Sequence, residues 1–252
     1  MNNYQLEYSS IEPKMFNRLS RKQKAKRLLK TLQFFYGKKS FKHFKVLDLG
    51  CSSGIIDNFL AKYFQSVTGI DIDKKAVGFA KKNFRLANLH FLHGDALNLK
   101  FKDNSFDIII CTHIYEHVTK PQKLADEIFR LLKPGGVCYF AAVNKLWIIE
   151  PHYDLPFLSW LPRKLANYYV RIFSKADIYY ETPKTYWQLR NLVRKFKIID
   201  YTDKILLYPE IFGYDNILKT RSPLAYLAKL FSPLTKFLTP TFFWLLVKEK
   251  IY

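Results

Sequence analysis

Along the first 143 residues, apolar runs of strand length alternate with stretches of helical period. Residues 20–36 place Ala25, Leu28, Leu29, Leu32 and Phe35 on one stripe behind Ser20, a residue suited to cap a helix; Lys and Arg fill much of the rest. A basic amphipathic helix is expected there. The apolar run 44–49 ends at Gly50 and Gly54 and predicts a strand followed by a helix over 55–63. Strand 66–71, helix 74–86, a short strand 89–92 and the turn His93-Gly94-Asp95 come next. The run 106–111 carries three isoleucines without alternation, as a strand buried on both faces should. Pro121 opens a helix over 121–132, Pro134, Gly135 and Gly136 close it, and 136–143 forms a fifth strand.

Strands alternating five times with helices predict a doubly wound, mostly parallel α/β sheet with helices on both faces. In such sheets ligands sit beyond the carboxyl ends of the strands, so the turns after Leu49, Ile70, Leu92 and Cys111 should share one crevice. After residue 143 the alternation stops. Residues 182–196 read as a helix and 197–202 as a strand, while 144–181 and 209–241 are irregular, aromatic and Pro-containing additions at the sheet's edge. Leu224, Leu227, Leu230, Phe231, Leu234, Phe237 and Leu238 form a broken amphipathic pattern with Lys229 and Lys236, interrupted by Pro223 and Pro233, that suits a lid or a membrane surface.

Charge sharpens this division. The formal net charge is +20, and 1–45 holds 12 basic and 2 acidic residues, 46–150 holds 13 and 11, and 151–252 holds 16 and 8. A balanced middle suits a ligand-binding core; basic flanks suit an anionic partner, either nucleic acid, an acidic membrane surface or a phosphorylated substrate, or else a solvated Lys-rich face. Cys51, Cys111 and Cys138 fall in or beside expected strands without metal or redox spacing, so they read as core residues and no metal is expected. Neither a signal-like apolar run near the start nor an apolar stretch of about 18 residues occurs, which leads to a cytoplasmic expectation, peripheral to the inner membrane face if the additions touch lipid. One domain over 1–252 is expected, with a basic helical extension (1–43), a cofactor-binding core (44–143) and substrate or lid insertions (144–181 and 209–241).

Asp48, Gly50 and Gly54 lie at a strand-to-helix turn where glycine lets the backbone approach a ligand. Their spacing does not fit the Gly-x-Gly-x-x-Gly pattern of a pyrophosphate-binding turn, and Asp48 would repel phosphate while suiting a ligand with an ammonium and a sulfonium. With these residues the chain resembles the class I S-adenosylmethionine-dependent methyltransferases, in particular the quinone-biosynthesis group, over residues 44–143. Four ordered motifs carry the resemblance: 46–54, Thr68-Gly-Ile-Asp-Ile-Asp73, His93-Gly-Asp-Ala96, and 106–117 followed by 131–136. The resemblance implies a Rossmann-like sheet of seven strands with an antiparallel last strand, 241–247 being that strand, and S-adenosyl-L-methionine as cofactor. It implies that Gly50 and Gly54 line the methionine part with Cys51, Asp48 anchors it, Asp71 accepts the ribose hydroxyls, Ile72 packs on adenine and Asp95 accepts from its amine. Ala96 and Thr112 complete the expected cofactor set. Ser52 departs from the glycine that many relatives have in the first motif.

Methyl transfer needs positioning, and a base only where the acceptor loses a proton. The candidates are His113, which follows the fourth strand, and Glu150, His152 and Tyr153 in a polar cluster within an apolar stretch. His117 reads rather as a packing or helix-start residue. For the 150–154 cluster, function and a rigid Pro-flanked loop stand level. Three functions remain open: methyl transfer to a small-molecule, saccharide or lipid-linked acceptor; RNA methylation served by the basic N-terminal helix; and cofactor binding without turnover. The oligomeric state is not readable from these patterns.

Overall fold

The computed structural model describes residues 6–37, 40–174, 176–214, 237 and 239–250. The N-terminal extension holds two short turns, α1 (Tyr8–Ile11) and a 3-10 turn (Pro13–Phe16), and then α2 (Arg18–Tyr36), whose N-terminus is capped by the Asn17 side chain and whose end is Gly37 in the left-handed region. The core follows as β1 (Phe41–Leu49), α3 (Ile55–Leu60), β2 (Phe64–Asp71), α4 (Lys74–Asn83), β3 (Leu89–His93), β4 (Phe106–Thr112), α5 (Pro121–Leu131) and β5 (Leu132–Val143). All five expected strands are present, and the sequence-based edges err mainly by starting β1 and β5 late.

Beyond β5 come a two-residue hairpin, β6 (Ile149–Glu150) and β7 (Leu155–Pro156), then α6 (Arg163–Phe173), α7 (Tyr186–Leu192), β8 (Lys197–Asp200), α8 (Thr202–Leu207), α9 (Pro209–Phe212) and β9 (Thr241–Val247). Seven strands make one sheet in the order β3-β2-β1-β4-β5-β9-β8, parallel except that β9 runs antiparallel between β5 and β8. The final stretch is therefore a sheet strand, as expected.

Alternating β5 residues explain how two helical layers form. Cys138, Phe140 and Ala142 face a core shared with α5 and α7, while Val137, Tyr139 and Ala141 face one shared with α2, α3 and α4. Strand order reverses between β1 and β4, which opens a crevice at their carboxyl ends.

The reading of 144–181 as irregular is corrected. α6 and a 3-10 turn close a small core of Leu158, Ala166, Val170 and Tyr179. α6 is amphipathic, with Arg163, Lys164, Asn167 and Arg171 on one side, but its apolar side is wider than the small core covers, and Leu165, Tyr168, Ile172 and Phe173 stay exposed. The helix expected over 182–196 is shorter because Thr185 and Gln188 build a capping box that fixes its start. Of the amphipathic pattern expected within 209–241, Phe237 alone is described, and it stacks on Trp187; the rest lies outside the described residues.

Candidate active site

The carboxyl ends of β1, β2, β3 and β4 meet at one cavity of about 520 Å³, with Asp48, Asp71, Asp95 and Thr112 among its lining. The crevice expected from the strand order is formed. Gly50 and Gly54 have φ of 76° and 70°, a region costly for residues with a Cβ, and a Cβ on Gly54 would also lie 2.5 Å from the Phe91 ring. A Cβ on Gly50 would run into Ile114, whose side-chain end has some freedom to shift, so the backbone angle is the stronger reason for glycine there.

Asp71 ends β2 and accepts from the backbone N–H of Ser52 (2.7 Å) and of Asp73 (2.8 Å), which clamps the β1 turn to the β2 turn. Burial raises its carboxyl despite these donors. Asp73 caps α4 through Lys75 and Ala76 and accepts from the Ser9 N–H at 2.7 Å, so the N-terminal extension is tied to the same turn. Beneath it Asp48 and Asp57 lie buried together. Desolvation, then the Asp57 and Asp71 carboxylates, pushes Asp48 well up; desolvation lifts Asp57 to about 7 against the lowering effect of its hydrogen bonds, one of them to Asp48. Asp95 is exposed and accepts from the Leu97 N–H.

The wall of the cavity opposite the strand ends comes from the N-terminal extension. Tyr8, Ser9, Glu12, Met15, Arg21, Lys24 and Arg27 all line it, and the Ser53 hydroxyl donates to the Met15 carbonyl at 2.6 Å. Three cations of the helix expected to present a basic outer face thus border the cavity, Arg27 buried, Arg21 half-buried and Lys24 at its exposed edge. Desolvation lowers Arg21, against the pull of Asp48, Tyr8, Glu12 and Asp71. Lys22, Lys26 and Lys30 stay exposed.

A third part of the site assembles from distant segments. His113, His117 and His152 line the cavity, and Glu116, Glu150 and Glu181 are each 1% exposed behind them. Glu150 accepts from the His152 ring (2.8 Å) and from the backbone N–H groups of His152 and Tyr153. Burial disfavours the His152 cation, but Glu150 overrides it and lifts the imidazole to about 9. His117 is lowered to about 4, first by burial, and its ring meets that of His152 edge-on at 4.9 Å. Nδ1 of His113 lies 3.5 Å from Glu116, and the surrounding imidazoles hold the Glu116 carboxyl below its usual range against burial. The sequence carries no metal-ligand spacing, yet donor atoms of Glu116, His117 and His152 come within 4.8 Å of one another, a spacing at which one metal ion could bind all three.

Of the residues singled out from sequence, Asp48, Gly50, Cys51, Asp71, Ile72, Asp95, Ala96, Thr112, His113 and His152 line the cavity. Gly54 does not line it and shapes the turn; Glu150 stands behind His152. Tyr153 is not among the lining residues either, since its hydroxyl donates to the Ile178 carbonyl and accepts from the Tyr180 N–H, so it braces the added segment. Sequence reasoning missed Tyr8, Arg21, Lys24, Arg27, Glu116 and Glu181. The charged residues left one signal, three cations spaced three apart on a helix; nothing local marks Glu181.

Residues 47–140 match the family model of the methyltransferase domain. Over 102 residues the chain is 34% identical to a ubiquinone biosynthesis O-methyltransferase of Coxiella burnetii, covering 40% of this chain and 44% of that protein. It is 31% identical over 142 residues to a fatty-acid O-methyltransferase of Mycolicibacterium smegmatis, covering 54% and 47%. The chain spans about half the length of the curated relatives it matches. Among solved structures, a phosphoethanolamine N-methyltransferase 2 of Haemonchus contortus in complex with S-adenosyl-L-methionine superposes with a TM-score of 0.53 at 21% identity, covering 87% of this chain and 51% of that one. The [4+2]-cyclase SpnF does so with 0.54 at 17%, covering 90% and 81%. Those two likenesses concern the fold.

Proposed function

We propose that this chain, whose residues 47–140 match the methyltransferase domain model, is a class I S-adenosylmethionine-dependent methyltransferase that transfers a methyl group from that cofactor to a small-molecule acceptor, saccharide and lipid-linked molecules included. One observation carries the reading: the ends of four parallel strands meet in a single cavity whose volume falls within the roughly 300–1,000 Å³ of small-molecule sites. The residues fit the cofactor, with a turn open enough at Gly50 for close backbone approach, buried carboxylates for hydroxyl and ammonium groups, and Ile72 for an apolar ring face. Asp71 would hold the ribose, Asp48 the methionine end, and Asp95 with Ala96 the adenine edge; Cys51 and Thr112 would complete the lining. When bound, the cofactor supplies a methyl group on an activated sulfonium.

Within this reading the chain is one domain, in which the basic extension and the segment after β5 build the acceptor side. His152 is the proton acceptor for a hydroxyl acceptor, because Glu150 orients its ring and raises its basicity. His113 stands at the end of β4 as a second polar contact. Among the described residues, 9 of the 18 exposed large hydrophobics lie within 148–178, and α6 carries Arg163, Lys164 and Arg171 without an acidic residue. That face supports docking on an anionic lipid surface. No helix of the described residues is long and apolar enough to cross a membrane. The relatives named for ubiquinone biosynthesis and for fatty acids favour an apolar acceptor. RNA methylation loses support because Arg21, Lys24 and Arg27 line the cavity.

Titration calorimetry with S-adenosylmethionine tests the cofactor assignment, and labelled cofactor offered with lipid, soluble-metabolite and RNA extracts tests the acceptor. Binding and incorporation into the lipid or metabolite fraction are expected. Absence of cofactor binding refutes the reading, and incorporation into RNA alone refutes the acceptor class. Sedimentation with anionic vesicles at low salt checks the lipid face, where pelleting is expected.

A further inference from the structure

We propose that Lys24 and Arg27 form an anion-binding end of the cavity that holds a carboxylate or phosphate carried by the methyl acceptor. The proposal rests on the methyltransferase reading and adds the acceptor's charge to it.

Arg21, Lys24 and Arg27 are three residues apart on α2 and line the cavity together. Their charges are not equally answered. Arg21 feels Asp48 and Asp71, the carboxylates of the strand ends. Arg27 is only 9% exposed; its Nε donates to the Gly213 carbonyl at 3.0 Å, and its guanidinium lies 4.5 Å from the centre of the Tyr214 ring. Both contacts orient the group and neither neutralises it. Among the described residues, no carboxylate forms an ion pair with Lys24 or Arg27. Lys24 is an exposed residue, yet its ammonium is lowered to about 8, because nearby protein displaces water and Arg21 and Arg27 crowd it, with Glu12 pulling the other way.

The neighbourhood says what the anion is attached to. Tyr139, Tyr214 and Phe243 line the same cavity, and Phe243 lies 5.7 Å from Tyr214, ring centre to ring centre. Two cations held one turn apart beside an aromatic wall repel each other. An anionic ligand with an apolar body relieves that repulsion and covers the wall, and the guanidinium suits two-point contact with a carboxylate or phosphate. Fatty carboxylates and lipid or aryl phosphates share this chemistry.

The test is calorimetry of the full chain with octanoate, octyl phosphate and octanol, with and without S-adenosylhomocysteine. Both anions should bind at least ~10-fold more tightly than octanol, a difference of about 1.4 kcal/mol. Lys24→Gln should remove most of that preference and leave octanol unchanged, and Arg27→Lys should keep part of it. The tighter of the two anions identifies the natural group as carboxylate or phosphate. Equal binding of octanol and the anions, or an unaltered preference in Lys24→Gln with native circular dichroism, overturns the proposal. Lys24→Gln should still bind S-adenosylmethionine; failure of the wild-type chain to bind that cofactor while retaining the anion preference would refute the methyltransferase reading and leave the anion site standing.

Discussion

The two sides of the cavity are built in opposite ways. The strand-end side is local: Asp48, Gly50, Cys51, Asp71 and Ile72 lie within 25 residues of chain and are fixed by backbone turns. The facing side draws Tyr8, Arg21, Lys24, Arg27, His113, His152 and Tyr139 from separate elements and relies on charge and packing to hold them together. The first side is acidic and buried, the second mixes cations with imidazoles. A turn that serves one common ligand needs only its own residues, whereas a surface for a particular acceptor needs residues that the fold alone makes neighbours.

The comparison breaks most sharply at His152. Its replacement by Ala should lower kcat by about 10²–10⁴, the range for a lost general base, with cofactor affinity within about twofold of wild type. Because the neutral imidazole accepts the proton, turnover should climb with pH and level off near 9, where His152 titrates. Glu150→Gln should move that break down towards about 6.5, the ordinary histidine value. A pH profile unaltered by Glu150→Gln would sever the pair from the chemistry.

On the strand-end side, Asp71→Ala removes the acceptor of two backbone N–H groups together with the expected hydroxyl ligand. S-adenosylmethionine affinity should fall about 100-fold, equivalent to about 2.7 kcal/mol. Calorimetry showing equal affinity would detach Asp71 from the cofactor and leave it a structural clamp.

Smaller effects sharpen the contrast. Asp57 holds its proton to about 7 in the folded chain and releases it near its ordinary value when unfolded. Between about pH 4 and 7 the folded state therefore binds more protons, and stability falls as pH rises through that window. Asp57→Asn lacks this loss, so its Tm relative to wild type should increase by several degrees from pH 5 to pH 8 in differential scanning calorimetry. Tyr153→Phe should cost only about 1 kcal/mol, the usual worth of a side-chain hydrogen bond, without altering kcat. A larger loss of turnover than of stability would return Tyr153 to the catalytic set.

Most of the core was legible because its signals are local. Strand β4 is a run of isoleucines, and α5 starts at Pro121, so neither depends on distant residues. Legibility ended where the determinants became tertiary. The short turns over residues 8–16 span too few residues to show a period, whereas α6, with Arg163, Lys164, Asn167 and Arg171 on one side and apolar residues on the other, carries a helical period that went unread. In the site, Asp48 and Asp71 were found through their motifs. Glu116 and Glu181 were not, because a glutamate in a loop looks the same on paper whether it is solvated or buried against histidines.

Two of the three thiols give the chain a chemical clock. Cys51, Cys111 and Cys138 are all buried, and desolvation raises each of them far from the reactive thiolate form. Cys51 lines the cavity and can be reached through it, but an alkylating reagent at neutral pH should modify Cys111 and Cys138 only when the chain opens, so their labelling reports opening of the native state. For the same reason, a cysteine introduced on the exposed surface of α6 could carry a fluorophore with Cys111 and Cys138 left in place.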